Sequence, residues 1–180
     1  SDGLPKLAAL DLISTILSTP HIQLVCHEGN IEDLLADLAL HRLDLVLADR
    51  APHHNKSLNL QYQALGESPI SWYASQSLVA DRYPFPECLT KLPVLLPTDH
   101  STLRVKLEQW LHQHGITPNI VGEFEDSALL ATFGAEGLGI FPAAETRNDL
   151  SKYYNVQKIG SCDDVHESFF AIYTEKKSQH

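Results

Sequence analysis

The stretch NIEDLLADLALHRLDLVLA, residues 30–48, decides the fold class. Asn30 is a good first residue for a helix, and Asp33 three positions on can answer it reciprocally. Ile31, Leu34, Leu35, Leu38 and Ala39 then recur at helical spacing, which predicts a helix with one apolar stripe. The run from Leu43 to Ala48 is short and apolar, and predicts a buried strand. Upstream, Leu4, Leu7, Ala8, Leu12, Ile16 and Leu17 keep a helical period up to Pro20. The alternation of Ile22, Leu24 and Cys26 follows and predicts a strand. Helix, strand, helix, strand is the order that builds a mostly parallel sheet flanked by helices, so the class is α/β.

Downstream, Leu60 to Leu65 reads as a strand leading through Gly66 and Pro69 into Ile70 to Ala74, and this Gly-Pro punctuation, with extended chain carried across it, is where a crossover between lobes is expected. Val94-Leu95-Leu96 is a short strand stopped by Pro97. Leu103, Leu107, Trp110 and Leu111 mark one face of a helix closed by Gly115. Asn119 to Phe124 reads as a strand, and Asp126 caps a short helix through Leu129, Leu130 and Phe133 that Gly134 ends. A strand over Leu138 to Phe141, a helix near Ala143 to Asp149 and a last strand over Phe169 to Tyr173 complete the chain. Val25 to Ala48 and Gly122 to Pro142 share the order strand, acidic turn, capped helix, strand, which suits two lobes of similar build.

With 180 residues, 43% of them hydrophobic, the chain can bury a core or two small lobes. No apolar run approaches the roughly 20 residues of a membrane-spanning helix, and no secretory signal is visible. A net charge of −10 repels a phosphate backbone, so this chain is not expected to hold DNA by itself. Cys26, Cys88 and Cys162 lack metal or redox spacing and suit packing in a reducing cytoplasm. Ser1-Asp2-Gly3 is not an initiation site, which leads us to expect an upstream portion.

The pattern from His41 to Leu47, and more specifically Gly134 through Gly137-Leu138-Gly139-Ile140-Phe141-Pro142, resembles the effector-binding domain of LysR-type transcriptional regulators. Within that family, Phe85 to Leu89, Trp110 to Gly115, Gly122 to Asp126 with Ala128-Leu129, and Phe133-Gly134-Ala135 resemble a member that activates a sodium/proton antiporter gene. The resemblance implies a two-lobed fold of the type 2 periplasmic-binding-protein kind. Residues 1–67 and 143–180 would form the first lobe and 68–142 the second, with a cleft between them for a small-molecule or ion effector. It also implies a homodimer or homotetramer, no cofactor, and DNA contact only through an upstream winged helix-turn-helix domain. Its first strand would lie at or before Ser1. The polar Ala143-Ala144-Glu145 departs from the family, which usually continues apolar.

In α/β folds, ligands gather at the carboxyl ends of strands, where helix N-termini offer free N–H groups. That rule selects Ser1 and Asp2, Asp49 with Arg50, Thr98, Ser101 and Thr102, and Asp126 with Ser127. Phe141 is a candidate cleft wall, although an aromatic at that place is more often simple core. Hydroxyls and carboxylates at these places also serve plain capping. Arg104 and Lys106 beside a helix start suit an anionic effector or a solvated face equally. For sodium, the densest acidic group is Glu123, Glu125 and Asp126, which a solvated turn also explains. His21, His27, His41, His53, His54, His112 and His114 suit exposed surface or a proton sensor, and their spacing fits no zinc pattern. A solute-binding protein of a transporter shares the two-lobe plan and is the alternative. An enzyme would need a nucleophile, phosphate loop or metal motif, and none is visible.

Overall fold

The computed structural model describes residues 5–53, 59–79, 83–146 and 149–175. Helix α1 runs from Lys6 to Leu17 and helix α2 from Ile31 to Ala39. The Asn30 side chain accepts the Asp33 backbone N–H at 2.8 Å, the cap expected of it, while the Asp33 carboxylate accepts from the Asn30 side-chain amide at 2.8 Å rather than from the backbone N–H of a capping box. Leu34 and Leu38 of α2 pack on the short strand β1, Val46–Ala48.

The strand expected over Ile22, Leu24 and Cys26 does not form. The segment has no ladder among the described residues, and Ile22, Leu24, Val25 and Cys26 are exposed. Alternation alone does not hold a strand; pairing does. Cys26 therefore has no packing role here, unlike Cys88 and Cys162, which are buried.

Strand β2 spans Leu60–Ala74 and strand β6 spans Gln157–Thr174, paired antiparallel from Leu60 opposite Thr174 to Ala74 opposite Gln157. The extended chain expected to run from 60–65 through Gly66 and Pro69 into 70–74 is one strand, with shifts of register beside Gly66 and Pro69. Strand β5, Phe141–Ala144, lies antiparallel along Ile70 to Tyr73 of β2. It occupies the place where a helix from Ala143 was expected. Only a short 3-10 turn, Leu150–Lys152, follows, capped by Asp149, whose carboxylate accepts the Ser151 N–H at 3.1 Å.

The order of this sheet is β1-β6-β2-β5, and all its pairs are antiparallel. The mostly parallel sheet expected from the first fifty residues is corrected accordingly, because the long outgoing strand and the long returning strand pair with each other. The parallel pair is β3, Pro93–Pro97, with β4, Asn119–Phe124, extended by a bridge from Val94 to Ile140. Helices α3, Cys88–Lys91, α4, Thr102–Gln113, and α5, Ser127–Ala135, complete the fold. The main core cluster runs from β3 and α4 into the long strands and contains Trp72 of β2 and Trp110 of α4, their ring centroids 5.9 Å apart; smaller clusters form around Phe141 and Leu130 and between α2 and β1.

Candidate functional site

Helices α4 and α5 begin beside one another, at the ends of β3 and β4. Ser101 caps α4 by accepting the Leu103 N–H at 3.1 Å, and Asp126 caps α5 by accepting the Ala128 N–H at 2.9 Å. A cavity of about 330 Å³ opens at this place. Its walls are mostly apolar: Leu7 from α1, Pro97 from β3, Phe124 from β4, Leu130 and Ala131 from α5, Pro142 from β5 and Leu150. The polar groups reaching it include Lys6, Ser101, Glu125, Ser127, Thr146, Tyr153, Tyr154 and Glu167. An apolar pocket with a few placed polar groups is the usual form of a small-molecule site.

Its charge pattern follows from the elements. The N-terminal ends of α4 and α5 carry the positive pole of the helix dipole. Lys6 adds an ammonium, 2.7 Å from Glu28 Oε1 and 4.0 Å from Asp126 Oδ1. The hydroxyl of Ser127 is buried and has no hydrogen-bond partner among the described residues, so a donor is left for a ligand. Glu28 lies in the open, and the Lys6 ammonium bonded to it holds its carboxyl below the ordinary range.

Of the residues expected from sequence, Ser101 lines the cavity, and Asp126 stands at its edge as a cap within reach of Lys6. Thr98 sits in the turn before α4: its N–H donates to Phe124 O at 3.0 Å and its carbonyl accepts the Ser101 N–H at 3.0 Å. Asp49 and Thr102 are joined to each other, the Thr102 hydroxyl donating to Asp49 Oδ2 at 3.2 Å, and neither lines the cavity. Arg50 Nε lies 3.4 Å from the other Asp49 oxygen.

Phe141 is not a cleft wall. It is fully buried in the core, stacked on Tyr73 with ring centroids 6.0 Å apart and pressed against Gly134. Ser1 and Asp2 lie outside the described residues, as does His54.

The three acidic candidates for sodium do not converge. Arg104 donates to Glu123 Oε1 at 2.6 Å, Asp126 is spent on its helix, and Glu125 alone faces the cavity. No group of three or more His, Cys, Asp or Glu side chains suited to a metal ion occurs among the described residues. Arg104 is itself structural: buried, it also donates to Pro97 O at 2.8 Å and Glu108 Oε1 at 2.9 Å. Lys106 Nζ donates to the His166 carbonyl at 2.7 Å. The described histidines named above are exposed, and the ring of His114 stacks on Trp110 at 4.3 Å. The Cys88 thiol is pushed up by burial, and burial raises that of Cys162 to about 12, so neither offers a thiolate.

The sequence reading missed Glu167. It is buried, lines the cavity from β6, and has its carboxyl pushed up to about 8 by burial first and then by the Asp49 carboxylate, with Lys106 pulling the other way. The signal was present: Val165, Glu167 and Phe169 alternate, and period-2 spacing puts Glu167 on the buried face of a strand longer than the one expected.

Residues 15–147 match the family described as the LysR substrate binding domain. The whole chain aligns at 32% identity over 182 residues with the transcriptional activator protein NhaR of Escherichia coli K12, covering 60% of that protein's length. Among solved structures, the LysR family regulator CbnR superposes with a TM-score of 0.72 at 13% identity, over 96% of this chain and 60% of that one. The effector binding domain of QuiR in complex with shikimate superposes with a TM-score of 0.63 at 13% identity, over 93% and 79%. The architecture is the type 2 periplasmic-binding-protein fold of such domains, and these relatives are transcription regulators rather than enzymes. No helix among the described residues is long and apolar enough to cross a membrane. The chain belongs to the LysR substrate-binding domain family.

Proposed function

We propose that this chain is the effector-sensing and dimerising domain of a cytoplasmic LysR-type activator, and that its cavity takes a small organic anion with one carboxylate on a compact apolar body. The observation that carries this reading is the cavity at the paired starts of α4 and α5, where Lys6 and the unpartnered Ser127 hydroxyl face apolar walls. Helix N-termini and an ammonium favour an anion, and the walls favour an apolar remainder. That the QuiR domain carries shikimate, a compact carboxylate, agrees with this chemistry. The cavity lies between the segments read as lobes, 1–67 with 143–180 and 68–142, so a ligand there can bias the angle between them. Promoter contact belongs to a winged helix-turn-helix domain outside this chain, and assembly is a homodimer or homotetramer.

Control of a sodium/proton antiporter gene is the finer reading, resting on the NhaR-like stretches. Within it the geometry favours an organic ligand over a hard cation, since the acidic candidates make no oxygen cage.

Thermal unfolding tests both points. At fixed ionic strength, exchanging sodium for potassium is expected to leave the midpoint unchanged. A matching carboxylate from a panel including benzoate and shikimate, at about a hundred times its Kd, is expected to stabilise by ~2.7 kcal/mol. That raises the midpoint of a chain this size by about 5–10 °C. A sodium-specific rise with no response to any carboxylate sinks the reading.

A further inference from the structure

Glu167 is only 5% exposed and borders the cavity. Charged groups approach it from every side. Asp49, at the end of β1, is a buried carboxylate held by Thr102 and Arg50. Lys106 approaches from α4 but spends its ammonium on the carbonyl of the neighbouring His166. Lys6 and Glu125 share the cavity, and on β2 the partner opposite Glu167 is the neutral Ser68, next to Glu67. Burial first, and then the Asp49 carboxylate, push the Glu167 carboxyl up to about 8 against the pull of Lys106, so at the wall of the cavity it keeps its proton at neutral pH.

An acid-form carboxyl is a strong O–H donor, and its ionised form repels an anion. We propose that Glu167 is a specificity-determining residue of the cavity, donating its O–H to the ligand's carboxylate, so that the ligand binds only with one proton on Glu167. This rests on the carboxylate reading of the cavity given above. When Glu167 is ionised in the empty protein, binding draws one proton from the buffer to its carboxylate oxygen, and no other bond changes. Proton concentration and effector concentration then act on the same site.

The test is the affinity of the chain for benzoate by calorimetry at pH 7 and pH 9, with benzoate ionised at both. With Glu167 titrating at about 8, the wild type is expected to bind about tenfold more weakly at pH 9. Glu167→Gln donates an amide N–H at every pH. It is expected to bind several-fold more weakly than wild type at pH 7 and to show less than a twofold change at pH 9, which also controls for Lys6 and Lys106. A flat wild-type profile, or an E167Q profile parallel to the wild type, overturns proton coupling while leaving the carboxylate site standing. No binding of benzoate or of any other carboxylate of the panel to the wild type at either pH overturns the carboxylate reading and the coupling with it.

Discussion

Glu167 also leaves a mark on stability. An unfolded glutamate releases its proton near 4.5, whereas the folded one keeps it to about 8. Below 4.5 both states are protonated and the residue favours neither. Between 4.5 and about 8 the folded state holds a proton that the unfolded state has lost, so stability falls as pH rises, and above 8 the loss is complete. Gln removes the titration at nearly the same shape. The urea stability of E167Q relative to wild type is therefore expected to rise by ~3–5 kcal/mol from pH 4.5 to pH 8, then level off. A difference that stays constant across that window sinks the assignment. The capping residues at the site were legible from sequence because a cap depends on its own turn: Ser101 and Asp126 are where helix starts demand them. For Glu167, burial, the first cause of its raised carboxyl, was signalled by the alternation of Val165, Glu167 and Phe169, whereas the approach of Asp49 from a distant part of the chain left no local trace.

Helix α5 shows how an element can be read correctly and bounded wrongly. Gly134 is the kind of residue that ends helices, and the sequence reading stops α5 there. The helix instead runs to Ala135, and the residue with positive φ after it is Gly137. Gly134 is buried inside the last turn because a Cβ there would lie 2.1 Å from Phe141 Cδ1 and 2.4 Å from Cε1. Its role is close packing of α5 on β5. Gly134→Ala gains up to ~1 kcal/mol of helix propensity but overpacks a rigid aromatic. A net loss of ~1–3 kcal/mol in urea unfolding is expected, with part of it recovered in the double variant G134A/F141L. Stability of G134A at or above wild type means that Phe141 yields freely. Strands show both sides of this limit: the extended chain read from Leu60 through Gly66 and Pro69 to Ala74 is β2. Alternation also proposed a strand over 22–26 whose pairing partner no local pattern can supply.

At the scale of the molecule, the two sheets are tied by shared structure rather than by a linker. Strands β2 and β6 run 15 and 18 residues and pair antiparallel along their length, with shifts of register at Ala64/Gly66, Pro69/Ile70 and Trp72/Tyr73. The main core draws on Ala8 of α1, Val94 and Leu96 of β3, Leu107 and Trp110 of α4, Trp72 of β2 and Phe169 of β6. The α/β class was legible because helical and extended periods are local. The antiparallel sheet was not, since pairing of residue 60 with residue 174 is a property of the closed chain. With so much core in common, neither half can lose its packing and leave the other's intact. Thermal unfolding is therefore expected as one transition, with near-ultraviolet signals from the buried Trp72 and Trp110 coincident with loss of far-ultraviolet signal. A carboxylate in the cavity is expected to move both curves together, because its walls come from α1, α4, α5 and both sheets. Two separated transitions, or a ligand that shifts only one of them, would mean that the long strands melt between the halves. The cavity would then join bodies that move independently.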